Sequence, residues 1–138
     1  MSRPKGYTAI DIVNATGVHY ETLNYWALPG FIVPSIDRGT GSGNRRRYSF
    51  VDVLAVLVAV RLRMEGFAPQ EMKRVIKYVL KHGKERKGAV LLATGVVLPV
   101  DFDKLINAVD VQNASSRSVL IDIGVFSRVL EKDLQKIG

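Results

Sequence analysis

The sequence predicts an α+β protein in which an N-terminal winged helix-turn-helix occupies residues 1–81, a polar linker residues 82–88, and a small β/α domain residues 89–138. Three observations predict it. Two amphipathic stretches meet at Thr16-Gly17-Val18, where glycine permits the positive φ of a tight turn between helices. β-prone residues stand on one side of a glycine-rich tip at 39–44, and Arg-Arg-Arg-Tyr stands on the other. Beyond residue 88, apolar runs of strand length give way to a last stretch with a helical repeat.

Thr8-Ala-Ile-Asp11 reads as a capping box that opens a helix lasting to about Ala15, with Ile10 and Val13 turned inward. The next helix is expected over 19–28, with Leu23 and Trp26 on its inner face and Pro29-Gly30 as its stop. Phe31-Ile-Val-Pro34 is short and β-prone, and Pro34 favours an edge. Ser49-Phe-Val-Asp52 is a second capping box, opening a helix to Glu65 with Gly66 as its C-cap. Residues 53–60 are apolar on every face, so this helix is either deeply buried or part of a contact between copies. Pro69 suits the first turn of a further helix, in which Met72, Val75, Ile76, Val79 and Leu80 face the core and Lys73, Arg74, Lys77 and Lys81 face water. Residues 89–100 read as two strands around Thr94-Gly95, 101–109 as a short helix, 110–118 as a loop and 119–125 as a strand. An amphipathic helix over 126–137 closes the chain, with Phe126, Val129, Leu130 and Leu134 inward.

Charge divides the chain. Residues 1–87 hold 15 Lys and Arg against 7 Asp and Glu, whereas residues 88–138 hold 5 against 6. A basic part joined to a nearly neutral one suggests a polyanion-binding module with an accessory part for dimerisation, an effector or a partner. The chain has no cysteine and only His19 and His82 as histidines, so thiolate nucleophiles, disulfides and a histidine metal cage are excluded. The N-terminal residues carry charge with no apolar stretch behind them, and no secretory leader is expected. The longest apolar run, 53–60, is far below the roughly 20 residues that span a bilayer. The expectation is a cytoplasmic, nucleoid-associated protein without metal, cofactor or enzymatic activity.

The segment Gly-Thr-Gly-Ser-Gly-Asn-Arg-Arg-Arg-Tyr-Ser, residues 39–49, decides the function class. A P-loop needs Gly, four residues and then Gly-Lys-Ser/Thr, which none of Gly39, Gly41 and Gly43 supplies. A dinucleotide fingerprint would place its third glycine where Arg46 stands. A plain solvated linker would leave Arg45, Arg46 and Arg47 merely wet. A wing, two short strands around a glycine tip, would lay them along a phosphate backbone, where arginines neutralise phosphates and Tyr48 hydrogen-bonds to them.

The order and spacing of several short motifs carry a resemblance. They are Tyr7-Thr8, Ala15-Thr16-Gly17-Val18, Thr22-Leu23-x-Tyr25-Trp26, Gly30-Phe31-Ile32-x-Pro34, Arg46-x-Tyr48-Ser49-x-x-Asp52 and Leu62-x-x-x-Gly66-Phe67. Over residues 7–81 the chain resembles the MerR family of bacterial transcriptional regulators. The resemblance implies a winged helix-turn-helix that binds double-stranded DNA as a homodimer, with the second helix in the major groove and the wing on flanking backbone. It also implies control of promoters by distorting DNA between the RNA polymerase contact elements. The C-terminal part would then contact RNA polymerase or a second regulatory protein. Three departures stand out: Asn24 where the family usually has Arg, His19 where it usually has Ser, and a β-then-α segment in place of a long dimerisation helix. The last is closer to a subset of the family with a compact C-terminal domain.

The DNA-binding set expected on these grounds is Thr8, His19, Tyr20, Glu21, Thr22, Asn24, Tyr25, Arg38, Arg45, Arg46, Arg47 and Tyr48. Tyr20 and Glu21, early in the recognition helix, are candidates for base edges, Glu21 as an acceptor from cytosine; solvent or an internal ion pair is the bland alternative for Glu21. Asn24 can bond to phosphate or adenine. Tyr25 divides evenly between phosphate and core. His19 reads as a cap or a phosphate neighbour. Removing Arg46 is expected to weaken all sequences alike and to flatten the salt dependence by about one unit of slope. Two other readings use the same fold: an architectural or recombination-accessory DNA-binding protein, and an antitoxin-like regulatory partner.

Overall fold

The computed structural model describes residues 6–27, 31–37, 46–93, 96–100 and 118–137. The expected helix over 101–109, nearly all of the expected loop over 110–118 and the glycine tip at 39–44 fall outside these residues. The fold is α+β. Four helices come first: α1 Ala9–Thr16, α2 Tyr20–Ala27, α3 Phe50–Met64 and α4 Pro69–His82. A 3-10 turn at Gly83–Glu85 leads to β1 Ala89–Ala93, β2 Val96–Val100, β3 Ser118–Asp122 and α5 Ile123–Ile137.

Both predicted capping boxes form. Thr8 accepts from the Asp11 amide while the Asp11 carboxylate accepts from the Thr8 amide, and Ser49 and Asp52 repeat the exchange at α3. At the end of α1, Gly17 has φ 77 and donates its amide to the Val13 carbonyl at 3.0 Å, the left-handed cap that only glycine takes without penalty. The inner face of α1 is Ala9, Ile12 and Thr16. Ile10, expected inside, is 59% exposed: with Thr8 as cap, the i, i+3, i+7 stripe starts at residue 9 and carries Ile10 past the core edge.

The uniformly apolar stretch in α3 proves to be the centre of the molecule. Residues Val53, Leu54, Ala55, Val56, Val58, Ala59 and Leu62 are all fully buried, and α3 packs against α1, α4 and α5. The helix is apolar round most of its circumference because α1, α4 and α5 of the same chain pack on it, while Leu57 and Val60 are half-exposed on the remaining side. On α4 the buried stripe is Met72, Val75, Ile76 and Val79, with Leu80 at its exposed margin.

The strands form one antiparallel sheet in the order β2-β1-β3, with Ala89 opposite Val100 on one side and Asp122 on the other. The last strand ends at Asp122 and α5 begins three residues earlier than the repeat suggests, at Ile123. The reason is a local cap: the Asp122 carboxylate accepts from the Val125 amide at 3.1 Å. The earlier start turns the helix. Ile123, Ser127, Leu130 and Leu134 face inward, and Val129, expected inside, is 48% exposed.

The charged segment 82–88 carries specific contacts. Arg86 stacks 3.8 Å over the Phe50 ring at the start of α3 and pairs with Glu131 of α5 at 2.7 Å. The Gly88 carbonyl accepts from the Ile123 amide at 2.8 Å. One connected apolar core runs from Ala9 through α3 to Leu134, so the basic and the neutral parts of the chain are packed together.

Candidate nucleic-acid interface

Helix α2 is held by its inner face and open on its outer one. Leu23 and Trp26 are buried, and Trp26 lies against Phe31 with ring centroids 5.7 Å apart. The turn before the helix is tied by the Thr16 hydroxyl, which donates to the Ile12 carbonyl and accepts from the Val18 amide. Held this way, α2 leaves Tyr20, Glu21 and Tyr25 exposed and Asn24 half-exposed on one face. Tyr25, read evenly between core and surface, is 71% exposed. His19 is exposed at the start of the helix, where its carbonyl accepts from the Leu23 amide. Thr8 spends its hydroxyl on the α1 cap.

Beside α2 stands the base of a hairpin. Arg47 and Asp37 exchange backbone hydrogen bonds of 2.7 and 3.1 Å, an antiparallel bridge. A second bridge joins Tyr7 and Tyr48. Gly6, at φ 88, sits so close to the hairpin that a Cβ there would lie 2.7 Å from the Tyr48 carbonyl oxygen. The hairpin base is fixed to α3 through one carboxylate oxygen: Asp52 Oδ2 accepts from the Ser35 amide at 2.8 Å, the Ser35 hydroxyl at 2.6 Å and the Ser49 amide at 2.9 Å. Arg38 and Arg45 lie outside the described residues.

The three arginines before Ser49 are not equivalent. Arg47 is half-exposed. Arg46 is only 9% exposed; its guanidinium donates through Nη2 to Asn24 Oδ1 and lies 5.9 Å from the centroid of the Tyr20 ring. Tyr48 is fully buried, and its hydroxyl has no hydrogen-bond partner among the described residues. Burial pushes the Tyr48 phenol above its ordinary 10.0; Arg46 pulls it down, while Asp52 and Tyr20 add to the rise. The folded state thus holds this proton more tightly than the unfolded chain does. The protonated phenol's contribution to stability is intact below about pH 10 and falls as pH rises beyond it. Tyr48→Phe is expected to cost less than about 1 kcal/mol at pH 8, since no described residue bonds to the hydroxyl, and to blunt the alkaline decline. Urea unfolding at pH 8 and pH 10.5 checks both; a loss above about 2 kcal/mol at pH 8 would show that the hydroxyl is bonded after all.

Two exposed cations, Arg63 and Lys73, stand next to α2, and the sequence marks only Lys73, as water-facing. Arg63, near the end of α3, donates from Nη1 to the Thr22 hydroxyl at 3.3 Å. Lys73 of α4 has its Nζ 5.9 Å from the Phe31 ring centroid. Both line a cleft of about 550 Å³, with Glu21, Thr22 and Tyr25 on its α2 wall and Trp26, Phe31 and Phe67 among its apolar lining. An α-helix about 10–12 Å across fits a major groove about 12 Å wide. The arrangement offers that groove hydroxyl, amide and carboxylate groups, with cations to one side.

Among the described residues no group of three His, Asp or Glu side chains is placed to hold a metal ion, and no helix is long and apolar enough to cross a membrane.

Comparison with known proteins adds an independent line. Residues 7–79, more than half of the 138, match the model of the MerR HTH family regulatory proteins. HTH-type transcriptional regulators from Mycobacterium bovis and Mycobacterium tuberculosis are each 32% identical over 78 residues, covering 56% of this chain and 35% of the relative. The chain spans about a third of the length of these relatives.

Proposed function

Because this chain belongs to the MerR family of helix-turn-helix regulatory proteins, we propose that it is a sequence-specific DNA-binding regulator of transcription. The observation that carries the proposal is the outer face of α2. Four adjacent side chains able to meet a base edge or a phosphate, Tyr20, Glu21, Asn24 and Tyr25, are turned out, while Leu23 and Trp26 hold the helix from behind. Base edges are read from this face. The half-exposed Arg47 and the hairpin that carries it lie along flanking backbone, and Arg63 and Lys73 neutralise phosphates on the cleft side of the helix. Residues 89–138, nearly neutral, serve dimerisation or a protein partner, RNA polymerase among the candidates. A symmetric dimer then places two recognition helices one or two helical turns apart, each turn about 34 Å.

Selection of bound duplexes from a random pool, at a stated salt concentration, tests this. A palindromic motif is the expected result. The selected site should lose affinity as salt rises, with a log–log slope near −0.9 for each phosphate neutralised. No enriched motif, or affinity indifferent to salt, would overturn the proposal. A motif mapping to recombination sites rather than promoters would favour an architectural role.

A further inference from the structure

The contact between Arg46 and Asn24 fixes which way the asparagine amide faces. A guanidinium has five N–H donors and no acceptor. Only the amide oxygen of Asn24 can face it, so the usual ambiguity between amide oxygen and nitrogen is removed. Tyr20 and Asn24 are one turn apart on α2, and Arg46 bridges that turn, bonded to one and lying over the ring of the other. The amide N–H groups of Asn24 are left for whatever approaches the helix.

We propose that Arg46 is a positioning residue which holds Asn24 as a hydrogen-bond donor, so that this place on the recognition helix selects an acceptor edge of a base, guanine before others, and rejects adenine. The inference rests on the DNA-binding reading above. Adenine is recognised bidentately when the amide oxygen accepts from N6 while the nitrogen donates to N7. Here the oxygen is engaged by a cation. An amide oxygen already bonded to a guanidinium is a weaker acceptor for the N6 amino group, and the bidentate pairing with adenine loses half of its strength. Guanine presents O6 and N7, both acceptors, and either can accept from the amide nitrogen of Asn24 without calling on its oxygen. Burial of Arg46 to 9% exposure also argues against its serving as one more backbone cation.

Three variants test this. Asn24→Asp keeps an acceptor for Arg46 but has no N–H to offer; it should fold normally and lose about tenfold in affinity for the selected site. Arg46→Met frees the oxygen; repeated pool selection should move the position that Asn24 reads toward adenine by about tenfold, with the salt slope unchanged. Asn24→Ala identifies that position, since its preference should vanish there. Uniform weakening of all sequences by Arg46→Met, with the salt slope reduced by about one unit, would overturn the proposal and make Arg46 a phosphate contact. So would adenine at the mapped position in the wild-type motif. A urea double-mutant cycle between Asn24→Ala and Arg46→Met needs no DNA and should show a coupling of about fivefold in the unfolding constant. Absence of coupling sinks this inference alone, whereas indifference of the wild type to every duplex sinks the DNA-binding reading with it.

Discussion

Asp52→Ala is expected to remove about 3 kcal/mol of folding stability, lowering the melting temperature by about 10 °C. A single oxygen of this carboxylate accepts from the Ser35 amide, the Ser35 hydroxyl and the Ser49 amide. Asp52 is itself 3% exposed. Alanine removes three hydrogen bonds to a charged acceptor, each worth about 1.5–3 kcal/mol before water takes the place of the carboxylate at the exposed Ser35, and one of the three is half of the α3 capping box. Against a total of about 5–15 kcal/mol for a domain this size, the loss is severe. Asp52→Asn retains an acceptor but no charge, and should cost about half as much. The effect should also reach DNA. Ser35 lies just before the hairpin base at Asp37, so freeing it loosens the hairpin relative to α2. Affinity for a selected site should fall even where the variant remains folded. Thermal melts and binding on the same samples separate the two effects, and a loss under about 1 kcal/mol would mean that the shared carboxylate does not anchor the hairpin.

That anchor is half legible in the sequence. Ser49-x-x-Asp52 is a four-residue word whose geometry is local, and it reads correctly, as does Thr8-x-x-Asp11. Gly17 and the pair Leu23 and Trp26 are legible for the same reason: a turn and one helical step decide them. The link from Asp52 to Ser35 spans 17 positions and leaves no local mark. Arg46 shows the limit more sharply. Three successive arginines look alike in sequence, and the one that folds back does so onto Asn24, 22 positions earlier. Short helices are ambiguous in another way. In α1, with 8 residues, moving the stripe by one position exchanges Ile10 and Val13 for Ala9 and Ile12, and the apolar pattern permits both. At α5 the capping Asp122 is embedded in a β-prone run, so strand and cap compete for the same letters. Lys73 reads as a solvated cation and Arg63 draws no reading, because exposure is all that their own helices determine. Their relation to α2 depends on how α3 and α4 pack, and Thr22 is 41 positions from Arg63.

Those two cations give the largest expected effect on binding. Arg63→Glu with Lys73→Glu should lower affinity for the selected duplex by about 100-fold or more at about 50 mM salt. It should also remove about two units of salt slope, one for each phosphate no longer neutralised. Both side chains are exposed, so folding stability should change by less than about 1 kcal/mol. The ranking of sequences should survive, because phosphate contacts position the protein while base contacts specify the site. Net charge alone also weakens binding to a polyanion, and a matched control isolates that contribution. Lys77→Glu with Lys81→Glu makes the same change of charge on exposed positions further along α4. Lys81 lies about 12 Å along the helix from Lys73, beyond a Debye length of about 8–10 Å at physiological salt. If the cleft beside α2 receives the DNA backbone, the Arg63 and Lys73 pair must weaken binding far more than the control pair, and the difference must persist at about 150 mM salt, where long-range steering is screened. Equal losses would reduce both pairs to contributors to a diffuse field, and would leave the outer face of α2 and the hairpin as the whole of the contact surface.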